Sequence, residues 1–388
     1  VIGLSAGATV LVGQAWGAKN VEKVRCVVGS TLFMTLIGGS IIALLGVLFA
    51  EHILLALGTD PDVMHLSLPY VQWMLAGSPL LFIYIIYTSI LRGVGDSTTP
   101  LIASGMTILI GVFITPVLIA GYFGFPKMGI VAPAIATIVG YLAVLIFLAV
   151  YLNKKDHPLK PDRHLLSHIR HQPELSKIIL RLGIPTGVQM VTTSVAGLVI
   201  VGLVNRYGSH ATAAYGAVNQ VLNYIQFPAL SISIAASIFA AQAIGAGKSE
   251  LLNKVTRTAL GMNILITGGL VALAYLFSKY LMALFITDPT VVVLGQQLLF
   301  IVLWSIIFFG ASAIFASIMR ASGTVTIPML INIAAIIGIE VPCAYLFSQW
   351  WGLQGIWYAY ALAFVCLCIL QGLYYQFVWK KKTVTALI

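Results

Sequence analysis

Apolar residues run along this chain in long blocks separated by short polar punctuation. Ten blocks, near 29–50, 68–91, 101–123, 130–152, 182–204, 214–243, 258–278, 293–319, 327–347 and 355–379, hold enough apolar residues for a helix to cross a bilayer. An earlier block, Val1 to Trp16, falls short of the roughly 20 residues that a span needs. Gly and Pro mark several block ends: Gly95 and Pro100, Gly124 and Pro126, Gly323 and Pro328. The blocks predict an all-α integral membrane protein whose first helix is partial.

The pattern repeats at an offset of 228 positions. GQAWGAKN (13–20) matches AQAIGAGK (241–248), pairing Gln14 with Gln242 and Gly17 with Gly245. TDP (59–61) matches TDP (287–289), and LRGVGDSTTP (91–100) matches MRASGTVTIP (319–328). After a two-residue slip, Pro116 pairs with Pro342 and Gly129 with Gly355. Such a repeat implies duplication. At this offset the counterpart of position 182 falls about 47 residues before Val1, so the chain reads as an N-terminally truncated fragment. The expected whole is two pseudo-symmetric six-helix lobes, twelve helices in all, with about eleven here. An even number of helices per half makes the repeats parallel. The first lobe is expected at 1–152, with its first helix and part of its second missing, a cytoplasmic linker at 153–181, and the second lobe at 182–388.

Composition excludes a water-soluble fold. Hydrophobic residues make up 60% of the 388 positions and charged residues 8%, against roughly 25% charged in soluble domains. The net charge of +10 is a matter of topology: alternate loops hold 18 of the 21 Lys and Arg. Lys127, Arg206 and Lys279 are the exceptions. Positive residues stay on the cytoplasmic side. The expectation is therefore a multi-pass inner (plasma) membrane protein with a cytoplasmic C-terminus, in contact with membrane lipids and not with nucleic acid.

The duplicated GQAWGAK and AQAIGAGK, LRGVGDSTTP with its copy MRASGTVTIP, and AAYGAVNQV (213–221) resemble the multidrug and toxic-compound extrusion (MATE) family. The resemblance runs over essentially the whole chain. It implies a two-lobed, twelve-helix antiporter, a monomer, that exports small organic and often cationic compounds in exchange for Na⁺ or H⁺ by alternating access. It implies no cofactor beyond the coupling ion. The acidic residues that serve some members lie at positions this chain fills otherwise. IPTGVQMVTTSV (184–195) has no acid, with Thr193 near the equivalent place, and Thr115 precedes the proline of the fifth helix. The family's cation-coupling aspartate of the first helix falls upstream of Val1.

Of eleven acidic residues, only Glu340 lies well inside a block. A carboxylate at membrane depth is costly, so it marks a candidate ion or substrate site, or a hydrogen-bonded brace for Pro342. Tyr215, Asn219, Asn223 and Gln226 recur at helical spacing and form one polar stripe, a candidate substrate wall or a set of interhelical bonds. Gln189 and Thr193 are further candidates. Gln14, Gly17, Gln242 and Gly245 are expected to end helices and allow close lobe packing. The linker histidines His157, His164, His168 and His171 sit among Lys and Arg with no Cys in the segment, so a solvated loop without a metal is expected. No phosphate loop and no nucleophile–base pair is present, which disfavours an ATP-driven pump and an enzyme. A flippase for lipid-linked precursors is the alternative within transport, and a membrane scaffold is the alternative outside it.

Overall fold

The computed structural model describes residues 1–388 and contains helices and no strand. Sixteen α-helices follow in order: α1 (Ile2–Gly17), α2 (Val21–Ala56), α3 (Pro61–Ala76), α4 (Ser78–Gly93), α5 (Thr98–Ala120), α6 (Ala132–Lys154), α7 (Arg163–Ser167), α8 (Pro173–Val204), α9 (Ser209–Gly245), α10 (Leu251–Leu276), α11 (Ser278–Ala283), α12 (Pro289–Val302), α13 (Ile306–Ala321), α14 (Thr326–Ala335), α15 (Val341–Trp351) and α16 (Leu353–Phe377). Helices dominate because hydrocarbon offers no partner to a backbone N–H or C=O, and a helix satisfies both internally.

Nine helical stretches are long and apolar enough to cross a membrane, and α3 with α4, bent by 43°, makes a tenth. The bend falls at Gly77, where the chain restarts on Ser78 and Pro79 as a new helix N-terminus. Side chains at Ile41, Leu44 and Leu48 of α2 and Leu198 of α8 are exposed on the helix surfaces. In water such exposure would be costly; in lipid it is the solvated state.

Several helices outrun the bilayer. The 36 residues of α2 extend about 54 Å, against a hydrocarbon core of about 30 Å. The blocks located its apolar part; the first turns, from Val21, are a polar extension of the same helix. Likewise α8 begins at Pro173, upstream of the apolar block at 182.

Two compact units divide the chain, Val1–Gly183 and Ile184–Ile388. The core of the second gathers around Trp357, which is fully buried among α9, α12 and α16. Within the first, α1 packs against the start of α8 through Gly3 and Gly183: a Cβ on Gly3 would lie 2.3 Å from the Gly183 carbonyl oxygen. Only a residue without a side chain permits that approach.

The repeat is visible in backbone detail. At the end of α1, Lys19 N–H donates to Trp16 O (2.9 Å) and Asn20 N–H to Ala15 O (3.0 Å). At the end of α9, Gly247 N–H donates to Ile244 O (3.0 Å) and Lys248 N–H to Ala243 O (2.9 Å). Both are the same left-handed helix stop, with φ of 57° at Lys19 and 70° at Gly247. The second duplicated motif repeats this stop at Gly95 and Gly323, with φ of 91° and 86°. Gln14 and Gln242 take part through their carbonyls, which accept from Ala18 and Ala246.

The segment 153–181 differs from expectation. It is not a solvated loop but is folded onto the first unit, with Leu159, Leu165, Leu175 and Ile179 buried. The Tyr87 hydroxyl donates to Leu159 O, and Arg25 Nε donates to Pro158 O at 3.3 Å. Ser30 and Ser176 hydroxyls meet at 3.2 Å. The reason lies in α2: its extension presents Arg25, Gly29, Ser30 and Phe33 to the segment, and a Cβ at Gly29 would lie 2.1 Å from His168 O.

Candidate functional site

The helix that carries Glu340 is not uniform. Between α14 and α15 the turn Ile336–Glu340 is a π-helix, and Pro342 starts the next α-turn. Proline has no N–H to give the preceding turn, and the wide turn accommodates that loss. Glu340 therefore sits where the helix is locally loosened. It is 8% exposed. None of the chain's ion pairs involves it; they all lie in the first unit.

The turn that carries Glu340 packs against α16, which bears Tyr360. The Tyr360 hydroxyl lies 3.1 Å from that of Tyr215 on α9. The rings of Tyr215 and Tyr360 flank Trp357, at centroid distances of 5.3 and 5.5 Å. Trp357 Nε1 is buried without a hydrogen-bond partner. The second unit thus assembles one carboxylate, two linked phenols and an unpaired indole N–H from three elements. Two of these residues, Glu340 and Tyr215, stood out in the sequence. Tyr360 and Trp357 did not, because aromatic residues in an apolar helix read as packing.

The stripe on α9 divides. Tyr215 turns into this cluster, whereas Asn219 and Gln226 are half-buried and Asn223 is exposed. On α8, Gln189 is half-buried and Thr193 is exposed, and the Thr193 hydroxyl returns to Gln189 O at 3.0 Å. Asn263 of α10, unremarked in the sequence, is fully buried and satisfied: its Nδ2 donates to Ile307 O (3.0 Å) and its Oδ1 accepts from Thr267 (3.0 Å). Gly310 leaves the room that its carboxamide fills. This is an internal brace. A groove of about 590 Å³ between α9 and α10 is apolar apart from Ser231, Lys254 and Thr258, and Glu340 is not part of it.

Ten apolar spans with a buried carboxylate and several amides within them define a polytopic helical membrane protein. The comparisons make that specific. The MatE family model matches residues 1–117 and 185–346. "Probable multidrug resistance protein YoeA" of Bacillus subtilis (strain 168) is 44% identical over 390 residues, covering 100% of this chain and 84% of that protein. "Probable multidrug resistance protein YpnP" of the same organism is 29% identical, covering 98% of this chain and 84% of that protein. A solved multidrug resistance MATE family transporter of the MOP superfamily, in an outward-facing conformation, superposes with a TM-score of 0.89 at 20% identity, covering 96% of this chain and 83% of that one.

The chain belongs to the MATE family. It is a membrane transporter and not an enzyme.

Proposed function

We propose that this transporter exports small organic compounds by alternating access, driven by inward flow of Na⁺ or H⁺, and that Glu340 is the residue through which the ion acts. The observation that carries this reading is a buried carboxylate without a counter-charge, set in a loosened π turn. A group so placed is stable when it holds a proton or a cation and costly when it holds neither. π turns recur at functional sites because they place a side chain off the ordinary helical register. The linked hydroxyls of Tyr215 and Tyr360, the latter on the helix that packs against the Glu340 turn, are the nearest candidates in this reading to exchange a proton with it.

The substrate wall in this reading is the α9 face with Asn219, Asn223 and Gln226, joined by Gln189 on α8. These amides are half-buried or exposed within membrane-spanning helices, where lipid would leave them unsatisfied. An aqueous path with an organic solute in it satisfies them. The protein resides in the inner (plasma) membrane with its C-terminus in the cytoplasm, and a single chain is the transporting unit.

The test is dye efflux from a pump-deficient strain expressing the protein, under imposed pH or Na⁺ gradients. Efflux is expected to follow one of the two gradients and to fall to the vector control in Glu340→Gln at equal expression. Parent-level, gradient-dependent efflux by Glu340→Gln would remove Glu340 from the coupling.

A further inference from the structure

We propose that the first unit carries a binding site for one transition-metal ion of the zinc class, held by Glu22, Cys26 and His168. The site is separate from the cluster around Glu340 and does not depend on what the protein transports.

The ligand atoms of Glu22, Cys26 and His168 all lie within 4.8 Å of one another. They come together across 146 positions of sequence. Glu22 and Cys26 are one helical turn apart on the extension of α2, so both project from one face. The histidine comes from the segment that the sequence suggested was solvated and lacked a thiol. The structure supplies the thiol from α2. Gly29, on the same face one turn beyond Cys26, has no side chain to hold the segment off; a Cβ there would meet His168 O, C and Cβ within 2.8 Å. Phe33, a further turn on, packs against His171 with ring centroids 6.1 Å apart.

Hydrogen bonding sets the chemistry of the two histidines. His168 Nδ1 lies 2.7 Å from the His164 carbonyl oxygen, an acceptor only, so Nδ1 carries the proton. In the neutral ring, Nε2 then presents its lone pair, and it points at Glu22 Oε1 at 2.9 Å. A lone pair facing a carboxylate oxygen at this distance is repulsive, so without a metal the pair shares a proton on Nε2, which a metal ion displaces on binding. An imidazole oriented by an Nδ1–H bond to a backbone carbonyl, with Nε2 turned toward other candidate ligands, is the arrangement of a metal-ligating histidine. His164 is not a ligand. Its Nδ1 accepts from Arg25 Nη1 at 2.6 Å, which leaves its proton on Nε2. Arg25 in turn is engaged with Asp162 at 3.8 Å, which balances its charge beside the site.

A thiolate, an imidazole and a carboxylate form a mixed S, N, O set that favours Zn²⁺ and its neighbours over Mg²⁺ or Ca²⁺. Tetrahedral bonds of about 2.0–2.3 Å place ligands about 3.3–3.6 Å apart, so binding spreads His168 Nε2 and Glu22 Oε1 from their 2.9 Å and settles the Cys26 sulfur at that distance from both. Glu22 has the freedom for this, its side chain being 61% exposed, whereas His168 is 12% exposed and already held. The exposed side of Glu22 leaves a fourth position to water.

The test uses the full chain in detergent, dialysed against micromolar Zn²⁺ or Co²⁺. About one Zn²⁺ per chain is expected, falling at least tenfold in Cys26→Ser and in His168→Gln and persisting in His171→Gln. Co²⁺ should give a thiolate-to-metal charge-transfer band that Cys26→Ser abolishes. Because His168→Gln could also undock the segment, Cys26→Ser, a single-atom exchange, carries the decision. A parent protein that retains no more Zn²⁺ than Cys26→Ser, or a Co²⁺ spectrum without the thiolate band, overturns the proposal and leaves His168 and Glu22 as a simple imidazolium–carboxylate pair.

Discussion

Lys19 and Gly247 occupy one backbone conformation at one place in the repeat, and only one of them suits it. A left-handed residue costs an ordinary side chain about 1–2 kcal/mol and costs glycine little. Lys19→Gly is therefore expected to raise stability by about 1 kcal/mol, less a few tenths for the freer unfolded chain. Gly247→Val, the opposite change in the other half, should lower stability by about 2 kcal/mol. Thermal unfolding of the two purified variants in detergent checks both signs. The repeat makes this visible in sequence, since aligning the motifs sets a lysine opposite a glycine where a helix stops. Glu340 was legible for another reason: one carboxylate in an apolar block has no bland company. Tyr360 and Trp357 had such company, and their roles come from which helix faces which. The π turn has no residue signature that distinguishes it from an α-turn.

The helices were readable as elements because lipid demands long apolar runs, and such runs are hard to mistake. The docked segment 157–181 was not. Its buried Leu159 and Leu165 stand among charges without a helical period, Leu175 and Ile179 add only one turn to it, and the groups that hold the segment lie far upstream on α1, α2 and α4. Docking depends on Gly29. Gly29→Ala forces His168 away from α2 and should speed tryptic cleavage at Arg163 and Arg170 by at least tenfold, as followed by peptide mapping of the folded protein. Acid should loosen the same segment. Burial holds His157 below the ordinary histidine range, and Asp96 at 3.8 Å offsets this only in part, with Lys155 adding to it. Its Nδ1 also accepts from Leu159 N–H at 3.1 Å, a bond that protonation breaks. The unfolded segment thus binds the proton more readily than the folded one. Stability from this group is complete above pH about 6.5 and is lost as pH falls through that value toward the lower folded pKa. Protection of the Leu159 amide, its exchange rate relative to the unstructured chain at the same pH, should fall between pH 7.5 and 5.5, and His157→Gln should flatten the change.

At the scale of the molecule, the two halves share their helix stops and differ in their chemistry. The stops at Lys19, Gly247, Gly95 and Gly323 follow one design, whereas the buried carboxylate lies only in the second unit. Orientation rests on the loops that hold 18 of the 21 basic residues, Lys380, Lys381 and Lys382 included. A fluorescent protein fused after Ile388 should therefore fold and fluoresce, and an alkaline phosphatase fused there should stay inactive.

A segment between two repeats is ordinarily where a lineage spends its insertions and deletions, since slack chain tolerates both. Here, 157–176 is fastened to α4 through Tyr87 and to α2 through a glycine at one point and a serine pair at another, and changing its length by one residue would misplace everything beyond. Among descendants of the same duplication, this stretch should vary in letters and hold its length, while true slack is found elsewhere. A reporter domain inserted into it would cost the first unit a wall, not a tether.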